Sequence, residues 1–163
     1  MTGLDVRASS ERGADRDGIA SPVRLAVDGV EDACAGILND WIDATPWMRR
    51  VHPIEAVIGH YRDDVLALRR VWVAGDPVEG FLALDEAEDL VTALYLAAPA
   101  RGRGLGRALL NRAKEGRSRL RLWTFAANEG ARRFYAREGF RSIAASDGDN
   151  EEGLADILFE WRG

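Results

Sequence analysis

Three glycines stand at alternate positions in the run Arg101-Gly102-Arg103-Gly104-Leu105-Gly106-Arg107. Glycine at such a spacing lets the backbone turn tightly and brings its N–H groups close to a ligand with no Cβ in the way. The run opens a predicted helix, with Leu105, Ala108, Leu109 and Ala113 on one face. The first turn of a helix has unpaired amide hydrogens and about half a positive charge, so an anion is expected here. Arg101, Arg103 and Arg107 add charged forks suited to phosphate oxygens, and a pyrophosphate is the natural ligand.

Spacing discriminates among nucleotide loops. A Walker A loop needs Lys and then Ser or Thr after its last glycine, whereas Arg107 and Ala108 follow Gly106. A dinucleotide fingerprint needs a third glycine where Arg107 stands and an acid about twenty residues on, where Ala126 and Ala127 lie. What remains is Arg-x-x-Gly-x-Gly at the start of a helix.

The elements that must hold this loop follow from apolar period. A strand over Val23 to Val27 leads to a helix that Asp28 and Glu31 are expected to start as a capping box, with Val30, Ala33, Cys34, Ile37, Leu38 and Trp41 as its stripe. A second helix begins at Pro53 and carries Ile54, Val57, Ile58 and Tyr61 up to Arg62. Strands are expected over Val65 to Ala74, Gly80 to Leu84 and Leu90 to Leu96, turning at Gly75-Asp76-Pro77 and at the acidic cluster Asp85 to Asp89. Beyond the glycine run come a strand over Leu120 to Ala126 and a helix capped by Asn128, bearing Ala131, Phe134, Tyr135 and Glu138 and ended by Gly139. A hairpin of Phe140 to Ser146 and Leu154 to Glu160 closes the chain. Residues 1–21, rich in Gly, Asp, Arg and Ser, read as a flexible tail, and residues 22–163 as one domain.

Composition narrows the function classes. No apolar run approaches the roughly 20 residues of a membrane helix, and no secretory signal opens the chain, so a cytoplasmic protein is expected, without a membrane partner. Cys34 lies on a helical stripe with no activating neighbour and reads as packing, and His52 and His60 as capping or surface residues. With these alone no metal site is expected. The net charge of -5 argues against a nucleic-acid partner. Between Arg101 and Arg121, however, seven arginines and Lys114 face the single acid Glu115, which suits a local anion.

At the glycine run the sequence resembles the GNAT acetyltransferase superfamily, as a bacterial single-domain member. Leu94-Tyr95-Leu96 with Pro99 looks like the family's cofactor strand, and Asn128, Ala131, Phe134-Tyr135 and Gly139-Phe140 match its second signature. The resemblance implies an α/β fold of the acyl-CoA N-acyltransferase type. That fold is a mixed, mostly antiparallel seven-stranded twisted sheet with about four helices and a splay between two central parallel strands. It further implies acetyl-CoA bound by Leu94, Tyr95, Leu96, Arg101, Gly102, Arg103, Gly104, Leu105, Gly106, Arg107, Asn128 and Tyr135. Catalysis would rest on Tyr135 as general acid and on the Leu96 N–H, which would polarise the thioester carbonyl.

The resemblance implies an N-acetyltransferase acting on a primary amine of a small molecule or protein, in a monomer or homodimer. The acceptor would sit between the first two helices and the last hairpin, with Trp41, Trp47 and Trp72 as walls or core, Trp41 being the better core residue. No carboxylate lies on the run Val91 to Leu96, and Asp89 is about 16 Å from Leu94 along an extended strand, too far for direct proton transfer. That leaves a water chain to Glu86, Glu88 or Asp89, an acceptor already neutral, or a non-catalytic acyl-CoA sensor. The loop Asp147 to Gly153 reads as a solvated turn; closed over the pocket, its acids would favour a cationic amine.

Overall fold

The computed structural model describes residues 22–163; the segment 1–21, read above as a tail, lies outside the described residues. Seven strands form one sheet in the order β1-β2-β3-β4-β5-β7-β6. They are β1 (Val23–Leu25), β2 (Arg70–Ala74), β3 (Gly80–Asp85), β4 (Leu90–Leu96), β5 (Arg119–Phe125), β6 (Arg141–Ser146) and β7 (Asp156–Arg162). Every neighbouring pair is antiparallel except β4 and β5, which are parallel and joined only at Leu90↔Arg121 and Val91↔Leu122. Beyond that point the two strands diverge, and the expected splay is present.

The helices are α1 (Glu31–Ala44), α2 (Ile54–His60), the short α3 (Leu66–Leu68), α4 (Leu105–Lys114) and α5 (Glu129–Arg137). Strand alternation sends Trp72, Leu82 and Leu84 to one face of the sheet, where they pack with Leu109 and Leu110 of α4 and Tyr135 of α5. Val73 and Phe81 point to the other face, onto Cys34 of α1 and Val57 and Tyr61. Cys34 is the packing residue its stripe predicted, fully buried.

Three local expectations differ from the structure. Val30, not Asp28, is the N-cap of α1, with no side-chain cap bond; the Glu31 carboxyl is held below its usual range by its own amide and that of Gly29. Ala33 is exposed and Ala35 buried in its place, because α1 meets its neighbours on a slightly rotated face. The stretch from Val65 is helical: a π-helical turn, Tyr61–Val65, runs on into α3, so β2 starts only at Arg70. The wide turn keeps Tyr61 buried edge-on against Phe81, 5.4 Å between ring centroids.

Candidate active site

The gap between β4 and β5 opens into a cleft of about 590 Å3. Its polarity on the β4 side follows from a single bond. The Ala97 N–H donates to the Glu79 carbonyl at 2.8 Å, so Ala97 faces β3, and alternation turns the backbone groups of Leu96 and Leu94 away from β3 into the gap. Their side chains pack on the α4 side of the sheet. Tyr95 is set the opposite way: its backbone faces Phe81 of β3, and its ring lies on the α1 side, 5.2 Å from Trp41. Only its side chain can serve the cleft.

Below the gap lies the glycine run. Gly102 and Gly104 have φ of 75° and 83°, and nothing lies within 4 Å of where a Cβ would stand on either. Among the described residues, no acceptor pairs the amides of residues 102–107, and the helical ladder of α4 begins with the Ala108 N–H bonded to the Gly104 carbonyl at 3.1 Å. Consecutive unpaired amides at a helix start form the cradle that a diphosphate requires.

The arginines are occupied in the meantime. Arg101 Nε donates to the Leu96 carbonyl at 3.2 Å, Arg103 pairs with Glu79 at 2.8 Å and Arg107 with Glu138 at 3.0 Å. Arg103 therefore points out of the cleft and the Leu105 side chain is buried in the core, so neither of these two residues lines the cleft. Exposed pairs such as Arg103–Glu79 contribute about 0 to 1 kcal/mol, and an incoming phosphate competes with them easily.

On the far wall, Asn128 caps α5 by accepting the Ala131 N–H at 3.1 Å, which leaves its Nδ2 free to donate into the cleft. Tyr135 lines the same wall. Its ring is packed by Phe134, Phe140 and Phe159, while its hydroxyl makes no hydrogen bond with any described residue. Burial, and then the nearby Tyr95, push this phenol well above its ordinary range.

The acids at the other end of β4 are spoken for. Glu86 pairs with Arg70 and Arg117, Glu88 with Arg121, and Asp89 with Arg117 and Arg119. They lie where β4 and β5 still pair, away from the gap.

The family model for the acetyltransferase (GNAT) domain matches residues 67–142, which contain β4, the glycine run, β5 and α5. A peptidyl-lysine N-acetyltransferase of Escherichia coli K12, YiaC, is 27% identical over 135 residues, 77% of this chain and 88% of its own. The match makes residues 67–142 similar to a GNAT acetyltransferase domain. The chain is an N-acetyltransferase, and acetyl-CoA is the acetyl donor that acetyltransferases of this type use.

The fold of this acetyltransferase is shared with solved structures of lower identity. YjaB of Escherichia coli in its apo form superimposes with a TM-score of 0.70 at 23% identity, covering 86% of this chain and 97% of that one. YncA of Salmonella typhimurium with acetyl-CoA bound has a TM-score of 0.64 at 21% identity, covering 86% and 92%. The free amides, the open space over Gly102 and Gly104 and the unpaired edge of β4 all fit this cosubstrate.

Sequence reasoning missed several cleft residues. Trp41, expected in the core, lines the cleft together with Trp123, Phe125 and Thr124. Trp47 bridges them, 5.8 Å from Trp41 and 5.9 Å from Phe125 between ring centroids. Trp72 is the core residue of the three, under a cation–π contact from Arg70. The aromatic alternation Trp123, Phe125 on β5 was the available signal.

Proposed function

We propose that this acetyltransferase moves the acetyl group of acetyl-CoA to a primary amine of a small molecule or protein by direct attack in a ternary complex. The observation that carries the reading is the gap beyond Val91 and Leu122, with Leu96 on one side and the unpartnered Tyr135 hydroxyl on the other. The amides of residues 102–107 hold the diphosphate, with Arg101, Arg103 and Arg107 released from their present partners to add charge. The backbone of Leu94 and the Nδ2 of Asn128 bind the pantetheine arm along the exposed edge of β4.

The Leu96 N–H meets the thioester oxygen, and a donor so placed stabilises the developing oxyanion by about 3 kcal/mol. Tyr135 stays protonated throughout the working pH range because its phenol is raised, so it is a hydrogen-bond donor to the departing sulfur. Burial that raises the phenol also raises the thiol, so the two remain comparable in the closed cleft.

The name of the Escherichia coli relative, a peptidyl-lysine acetyltransferase, supports a protein lysine as one form of the acceptor. A cytoplasmic location and a monomer or homodimer belong to the same proposal; among the described residues no helix is long and apolar enough to cross a membrane. The test is release of free coenzyme A thiol from acetyl-CoA across a panel of polyamines, amino acids, aminoglycosides and lysine peptides. Release that depends on the amine supports the reading. Tight acetyl-CoA binding with no release from any member of the panel overturns it.

A further inference from the structure

The two strands that part beyond Leu122 are joined again, on one face of the sheet, by rings. Leu120 and Leu122 of β5, with Leu94 and Leu96 of β4, pack in the core under α4, so alternation turns Trp123, Phe125 and Tyr95 to the α1 face. There Tyr95 lies 5.2 Å from Trp41, Trp41 5.8 Å from Trp47, and Trp47 5.9 Å from Phe125 between ring centroids. Four rings thus span from β4 to β5 where no backbone pair does. The bridge is fixed from behind. Thr45 Oγ1 donates to the Trp41 carbonyl at 2.6 Å, and Arg50 fastens the connection that carries Trp47 through bonds of 2.7 Å to Asn39 and 2.7 Å to Asp43.

Trp123 stands beside this bridge without joining it. It lines the cleft, is 45% exposed, and is the one tryptophan among the exposed large apolar side chains of the described residues. No ring of a described residue stacks on it, and its Nε1 donates to none of them. An indole left in water at the edge of a cleft has a face to offer a flat ring, in offset or edge-on contact.

The charges that line the cleft lie at the other end. They are Arg101 of the glycine run, Arg107 and Arg137 against Glu138, whose carboxylate is bound to Arg107. Among the described lining residues no carboxylate stands beside the rings. One ammonium group can lie against ring faces, but a second finds no counter-ion there and three arginines further along.

We propose that the acceptor is an aromatic monoamine, its flat body laid against Trp123 and the Trp41–Tyr95 end of the bridge and its nitrogen at the gap beside Leu96. The inference rests on the amine-acetylation reading above and names its substrate class. Tyr95 is the neighbour of Leu96 in the chain, so a short side arm carries the amine from the ring wall to the thioester. A flat ring meets the indole over its whole face, whereas a lysine side chain or a polyamine meets it only along a stem.

The experiment compares kcat and KM for phenethylamine, butylamine, spermidine and a lysine peptide in the parent, Trp123→Ala and Trp123→Phe, with the acetyl-CoA Kd as the check that each variant is folded. The parent should favour phenethylamine in kcat/KM by about tenfold or more over each of the others. Trp123→Ala should raise the KM for phenethylamine about tenfold, with kcat held within about threefold and the KM for butylamine within about twofold. Trp123→Phe, which keeps a ring, should recover most of that loss. A parent that prefers spermidine or the lysine peptide overturns the inference and leaves the amine-acetylation reading standing. An unchanged KM for phenethylamine in Trp123→Ala, or an equal rise for both monoamines, overturns it as well. So does a variant that instead alters the choice between acetyl-CoA and butanoyl-CoA, which would assign the rings to the acyl chain. A parent that binds acetyl-CoA and acetylates no member of the panel overturns the amine-acetylation reading itself, and this one with it.

Discussion

A Cβ placed on Gly106 would stand 3.1 Å from Phe134 Cζ and 3.6 Å from Leu96 Cδ1. Glycine at this one position therefore lets the start of α4, the cleft edge of β4 and the ring of α5 meet.

Gly106→Val must push these three apart. Overpacking of this kind costs about 1 to 3 kcal/mol, and the displacement moves the amides of the phosphate cradle. The expected outcome is a coenzyme A Kd raised by about tenfold or more with a melting temperature several degrees lower, read by calorimetry and thermal unfolding. An unchanged Kd would disconnect the Phe134 contact from the cradle.

Gly104→Ala tests the cradle more locally. The site has empty space for the methyl group but a φ of 83°, so the variant carries a backbone strain of about 1 kcal/mol and narrows the approach to the amides. Coenzyme A affinity should fall, and Gly104→Glu, which puts a carboxylate among the same amides, should abolish binding while the fold survives. Titration calorimetry separates the two.

Tyr135→Phe removes one hydroxyl and leaves the packing against Phe140 and Phe159 intact. A general acid of this type contributes about 100-fold or more. The loss should appear in kcat, with the acetyl-CoA Kd held within about threefold. A parental kcat in this variant would leave Tyr135 a packing residue.

Stability should fall in alkali with a definite order. Burial first, then the Glu31 charge, pushes the Cys34 thiol from 9.0 up to about 12; burial first, then Glu152, pushes Tyr95 from 10.0 up to about 12, and Tyr61 and Tyr135 move the same way. The unfolded chain releases these protons at ordinary values while the native protein keeps them. Above about pH 9 the native state therefore binds more protons, and stability drops by up to about 1.4 kcal/mol per pH unit for each group. Urea midpoints should decline from about pH 9, with Cys34 first, and more steeply past pH 10 with the tyrosines. In Cys34→Ala the decline should begin only near pH 10.

The phosphate cradle and the sheet were legible because they are local: a glycine spacing fixes a loop, and apolar period fixes a strand. Trp41 was not, because a helical stripe records only that a side chain faces inward, and an inward face meets a cleft as readily as a core. The helical continuation through Leu68 was hidden for a similar reason, since the apolar run from Val65 suits a buried strand as well as a helix turn. The stretch 147–153 reads by composition as a solvent-exposed turn, and its tie to His52 through Glu151, between residues far apart in sequence, shows only in the structure.

Two residue pairs are all that fastens β4 to β5. The sheet is consequently stitched at one end and unlaced at the other, with four strands on one side of the seam and three on the other. A donor seated in the seam as proposed would do the work of the missing rungs, joining two half-sheets that no backbone ladder joins there.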